Sequence, residues 1–167
     1  PGESISVESE LKRILGEFNG NIVEPLTLPI EVECKRVRRE FGHSASVTLS
    51  FSRDVSAHEV TTTWSEFQNS VEKIDLPSGM KSPIFFVSDV FNALDQSIES
   101  ENNFLLDSME VYIGNIQVSG NGASFDVISD NTVRGAAGNS VLLAEMMLAQ
   151  GIIHESPSAH YIRQDVR

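Results

Sequence analysis

Cysteine, tryptophan and positive charge are all scarce in this chain of 167 residues. A single cysteine, Cys34, excludes an internal disulfide and a zinc site made of several thiolates, and with no other ligand cluster in view no metal is expected. A lone thiol and the lack of a charged-then-apolar leader lead us to expect a reducing, cytoplasmic setting. Twelve Lys and Arg face 24 Asp and Glu, a net charge of −12. Most of the surface must therefore repel phosphate, and neither nucleic acid nor an anionic membrane is an expected partner. No apolar run approaches the ~18 residues of a membrane span. What is present is ordinary for a globular chain: 40% hydrophobic and 22% charged residues, enough to build one domain with a real core.

The spacing of apolar residues divides the chain. Residues 1–6 read as a tail and residues 7–154 as one domain, with a polar, acidic insertion of some helical character at 92–107 and a second tail at 155–167. Val7, Leu11, Ile14 and Leu15 share a stripe at 100° per residue, which predicts a helix ended by Gly16 and the Asn19-Gly20 pair. Glu10 and Arg13 flank that stripe as neighbours. Ser56 with Glu59 is a capping box, opening a helix whose Val60, Trp64 and Phe67 face a core. Residues 84–87 read as a short buried strand, 109–128 as a hairpin about Ser119-Gly120-Asn121-Gly122, and 133–150 as a helix with Gly151 as its C-cap. The order predicts an α+β fold, a mixed but mostly antiparallel sheet with helices on one face.

Residues 30–37 alternate, with Ile30, Val32 and Cys34 on one face and Glu31, Glu33 and Lys35 on the other. By the same period Arg36 lies on the apolar face. In the next strand His43 continues the row of Ala45, Val47, Leu49 and Phe51. If the two strands pair as a hairpin, Arg36 and His43 both point inward near one sheet edge. A buried Arg needs a partner, either a carboxylate of the protein or an anion admitted to a pocket. Lys35, Arg36, Arg38 and Arg39 concentrate a third of the basic residues within five positions, either as an anion site or as a solvated strand end. Ser129, Asp130 and Asn131 are placed to cap the last helix, and the small residues after them allow either another helix or a flat ligand to approach.

Four blocks then resemble one family in its own order. Glu10-Leu11-Lys12-Arg13-Ile14-Leu15 is similar to the Glu-Thr-x-Lys-Ile-Leu helix of the aspartate-β-semialdehyde dehydrogenases. Arg36, seven residues before His43-Ser44, resembles their Arg and His-Ser pair. Residues 111–116 are similar to their Phe-Val-Gly-Arg-Ile strand, and Ser129-Asp130-Asn131 with Gly135-Ala136-Ala137 and Asn139 to their Ser-Asp-Asn-x-x-x-Gly-Ala-Ala-x-Asn signature. The resemblance covers residues 7–154 except the insertion, and implies the C-terminal catalytic and dimerisation domain. The family's Gly-rich nucleotide-binding half and Asn-Cys-Ser/Thr nucleophile are not found in this sequence, and Cys34 matches a packing position of the core strand.

The resemblance implies NADP-dependent reductive dephosphorylation of β-aspartyl phosphate, in amino-acid biosynthesis. It implies that Arg36 grips the substrate carboxylate, Glu10 its ammonium, and Arg13 the phosphate in place of the usual Lys. His43 is the implied acid/base. Asn131 and Gly135 face the nicotinamide end of NADP, which the absent half would chiefly bind. The implied partners are a small-molecule substrate and a second copy of the chain, as a dimer. The competing reading is a dimerisation module of that descent without chemistry.

Overall fold

A computed structural model describes residues 2–35, 38–39, 42–71, 74–80, 82–99 and 109–154. They belong to two compact units, residues 1–39 and 40–167. In the first, helix α1 (Gly2–Ile14) begins earlier than the apolar spacing predicts and runs through the stretch read as a tail. Glu3 in its first turn and Lys12 and Arg13 in its last complement the helix dipole, and Lys12 Nζ pairs with Glu8 one turn back at 2.6 Å. Strands β1 (Glu17–Phe18) and β2 (Val23–Glu24) follow as a short antiparallel pair. This unit covers little of its apolar surface: Ile14 is 77% exposed, Phe18 69% and Leu15 56%.

The alternation over 30–37 predicts a strand, of which residues 36 and 37 lie outside the described residues and 30–35 join no ladder among them. Ile30 and Val32 are half-buried between exposed Glu31 and Glu33, so the alternation survives only that far. Cys34 is exposed, not in the core, and its backbone N–H donates to Ser4 Oγ at 3.0 Å. A period of two buries a face only where a neighbouring strand and a covering layer exist.

The second unit is a four-stranded sheet of β3 (His43–Ser50), β4 (Ile84–Phe86), β5 (Val111–Ser119) and β6 (Gly122–Ser129), in the order β3-β6-β5-β4. The β5–β6 hairpin turns through Gly120-Asn121, as its turn residues predict. β3 lies antiparallel to β6, and β4 parallel to β5, so the sheet is mixed and mostly antiparallel. The fold is α+β.

Helices lie on both faces, where one was expected. Helix α2 (Ala57–Val71) starts with the capping box: Glu59 accepts from Ser56 N at 2.8 Å and Ser56 Oγ accepts from Glu59 N at 3.2 Å. Its Trp64 meets Phe125 edge-on at 5.0 Å and Phe86 at 5.7 Å, the packing role expected for it. Phe125 and Phe86 belong to the sheet face that Ile113 and Val127 share. Helix α3 (Val90–Glu99) takes the other face, where Val90 and Leu94 close on Tyr112 and Ile128. Val90, Leu94 and Ile128 are fully buried. The stretch read as an insertion therefore begins as a core helix, because Val90 and Leu94, four apart, face one way.

Beyond α3 that second face is polar. Ser46 Oγ donates to Asp126 Oδ1 at 2.6 Å and Asn115 Nδ2 to Oδ2 at 2.7 Å, linking three strands beside a register shift after Gly114. Among the described residues, no helix is long and apolar enough to cross a membrane.

Leu94→Ala is expected to cost about 2–5 kcal/mol in urea unfolding, since a fully buried side chain would leave a cavity. The Asn115 and Ser46 hydrogen bonds hold the Asp126 carboxyl below the usual carboxylate range. A carboxyl depressed in the folded state adds stability above its unfolded pKa and loses it as pH falls through the folded one. The stability difference between wild type and Asp126→Asn should thus shrink on acidification, and a difference that grows would contradict the clamp.

Candidate functional site at one end of the sheet

The strand register brings two distant segments together. His43 lies directly opposite Ser129, which in turn lies opposite Val111. Paired Cα atoms in such a ladder are about 4.5–5.5 Å apart. The chain reaches His43 through Gly42, whose φ of +79° favours glycine, and a Cβ there would stand 2.3 Å from Leu94 Cδ2. The α3 core contact therefore sets where β3 begins. His43 itself is exposed, at the last rung of the ladder and four rungs beyond Phe125, on which Trp64 packs.

Immediately after Ser129 the chain makes a tight turn. The Asp130 carboxylate, 4% exposed, accepts from Thr132 N at 2.8 Å and Val133 N at 2.6 Å, the capping role expected for this segment. Gly135 N then bonds to Asp130 O and Ala137 N to Thr132 O, both at 3.0 Å, a five-residue spacing. This makes Val133–Ala137 a π turn leading into α4 (Gly138–Ala149); such turns recur at functional sites. The helix ends where expected: Gly151 N bonds to Leu148 O at 3.0 Å and Ile152 N to Met147 O at 2.9 Å, a Schellman motif.

The small residues of this segment divide by role. A Cβ at Gly138 would stand 2.5 Å from Met109 Sδ and 2.8 Å from Val133 Cγ1, so internal packing requires that glycine. At Gly135 the nearest atoms would be Asp130 O at 3.7 Å and Asn131 Cβ at 3.8 Å, which leaves room. Asn131 beside it is exposed and its amide makes no hydrogen bond to a described residue. One residue that sequence reasoning missed is Arg134. It is half-buried, burial lowers its pKa, and it makes no ion pair with a described residue. Its position beside Gly135 in so acidic a chain was the available signal.

His43, Asn131 and Gly135 thus share one sheet end. Glu10 and Arg13 belong to the first unit, both exposed on α1. Arg13 borders two shallow clefts of about 340 and 450 Å³, with Ile5, Glu8 and Lys12 along one and Phe18 and Ile22 along the other. Arg36 lies outside the described residues.

No family model matches the chain. It is 32% identical to an aspartate-semialdehyde dehydrogenase of Archaeoglobus fulgidus, over 91% of this chain and 42% of that protein. The chain is a relative of the aspartate-semialdehyde dehydrogenases. The enzyme of that name from Aspergillus fumigatus is also 32% identical, over 91% of this chain and 43% of its own length. A malonyl CoA reductase (NADP) of Metallosphaera sedula is 27% identical over the same shares. This chain accordingly spans about two-fifths of the length of these oxidoreductase relatives.

The two glycines provide a test. Gly138→Ala should cost about 1–3 kcal/mol in denaturant unfolding from overpacking against Met109 and Val133, whereas Gly135→Ala should leave stability within about 0.5 kcal/mol. Equal costs would mean that Gly135 also serves internal packing. Asp130→Ala should destabilise by about 1–2 kcal/mol through loss of the cap.

Proposed function

We propose that this chain supplies the substrate-binding and proton-transfer part of an aspartate-semialdehyde dehydrogenase, acting on β-aspartyl phosphate or its semialdehyde in amino-acid biosynthesis. The pairing of His43 with Ser129 carries the reading, because it puts the acid/base candidate at the same sheet end as Asn131 and Gly135. The His43 imidazole is exposed, so a small substrate can reach it for proton transfer. Arg36 binds the substrate carboxylate through paired guanidinium donors, Glu10 takes the ammonium and Arg13 the phosphate.

The residues at the sheet end fit the nicotinamide part of NADP: a primary amide at Asn131 that bonds to no described residue, and an exposed Gly135 with no side chain to hinder a flat group. NADP, when bound, exchanges hydride with the acyl carbon of the substrate. The thiol that must attack that carbon is not supplied by Cys34, which lies between Glu33 and Lys35 and outside any Asn-Cys-Ser/Thr context. The same observation favours the second reading, a dimerisation module without chemistry. In either case two copies of the chain associate.

In a protein joining this chain to a nucleotide-binding half with a nucleophilic cysteine, His43→Asn should lower kcat by at least about a hundredfold with KM little changed. Arg36→Leu should raise KM for the semialdehyde at least about tenfold. An unaffected kcat in the His43 variant would overturn the acid/base role. The chain alone should show no NADP-dependent turnover. Sedimentation should give a dimer that tightens with salt, since the net charge of −12 is screened.

A further inference from the structure

The dipeptide Asn-Gly occurs twice, at Asn19-Gly20 and Asn121-Gly122, and the two are held in opposite ways. In the β1–β2 hairpin, Asn19 Oδ1 accepts backbone N–H groups of both Asn21 and Ile22 at 3.1 Å. Its Nδ2 donates to Glu24 Oε1 at 2.7 Å. Gly20, at φ +98°, has open space on its Cβ side, and its N–H donates to no described residue. Two donors on an amide oxygen polarise the carbon they flank and stabilise negative charge developing on that oxygen, as an oxyanion hole does.

We propose that Asn19 is a site of spontaneous deamidation built into the β1–β2 hairpin. The Gly20 backbone nitrogen attacks Asn19 Cγ, forming an N–C bond while its proton passes to water. The charge gathers on Oδ1, where the Asn21 and Ile22 N–H groups meet it. The tetrahedral centre collapses by breaking the Cγ–Nδ2 bond, and Nδ2 leaves as ammonia after taking a proton from water. The resulting succinimide ring adds one water at either carbonyl and opens to aspartate or isoaspartate. Nothing is oxidised or reduced, and the only co-reactant is water.

The second Asn-Gly pair is held differently. Gly122 is fixed in the ladder opposite both Ser119 and Ser50. Asn121 is tied to Phe51 twice, its carbonyl accepting Phe51 N at 2.8 Å and its Nδ2 donating to Phe51 O at 3.0 Å. Its Oδ1 receives no donor from a described residue. A neighbouring nitrogen can attack only if the backbone lets it approach, and pairing on both sides fixes the backbone at Gly122.

The consequence is electrostatic. Glu17 and Glu24 already face each other across β1 and β2. Replacing the Asn19 amide by a carboxylate removes the donor to Glu24 and adds a third negative charge to a pair of two-residue strands. Like charges opposed across strands destabilise the pairing. Phe18, Ile22 and Val23 of this hairpin border the Arg13 cleft, so the change alters the surroundings of one proposed site residue.

The test needs only the chain itself, aged at mildly alkaline pH with and without concentrated urea. Peptide mass spectrometry reads the amide-to-acid mass change at both sites, and isoaspartate is scored at the same positions. In the folded chain Asn19 should convert at least about ten times faster than Asn121, and no slower than it does in urea, where the two rates converge. Comparable rates in the folded chain, or an Asn19 protected relative to urea, would overturn the proposal.

Discussion

The placing of the proposed site residues in the second unit depends on the antiparallel ladder joining β3 to β6. Eight consecutive pairs run from His43 opposite Ser129 to Ser50 opposite Gly122. Register in such a ladder is all or nothing, since a slip of one residue turns every side chain to the other face. The far end is pinned by the Gly120-Asn121 turn, whose residues also hold Phe51 and Val55. The near end is pinned by Leu94 packing where only Gly42 fits. Between those pins, the place of His43 follows.

That constraint explains which features were legible in sequence. The α2 cap, the β5–β6 turn and the Gly151 cap are local: each is decided by a few adjacent residues with their own hydrogen bonds, so reading in order suffices. The α+β class followed from the order of elements. The family motifs also pointed to Asn131 and Gly135, although nothing local shows that the ladder register puts them at the same sheet end as His43.

Non-local features were the ones misread. Cys34 shares its parity with Ile30 and Val32, yet parity says only which residues agree with one another, not what lies over them. The acidity around residues 92–107 concealed Val90 and Leu94, because two well-spaced apolar residues are enough for a ten-residue helix to enter the core. Placing helices on both faces required knowing that Phe85 and Phe86, adjacent in sequence, point to opposite sides of β4, one towards Tyr112 and the other towards Trp64. Arg134 was passed over because its distinction is burial, which composition does not carry.

Coverage of the sheet and the location of its open end are two sides of one arrangement. Trp64 sits on Phe125 and Phe86, and Val90 and Leu94 sit on Tyr112 and Ile128, so each helix closes the middle of a different face. The rung of His43 and Ser129 is the last of the ladder, and there His43 meets solvent. The proton-transfer role proposed for His43 needs a side chain that a small molecule can reach on a backbone that is rigid. A terminal rung satisfies both, because its main chain is paired while its side chain lies beyond the covering helices. The buried Asp130 extends the same logic around the corner: by binding Thr132 N and Val133 N it makes the turn after Ser129 as fixed as the strand before it. Asn131 therefore stands exposed on a backbone that is held on either side.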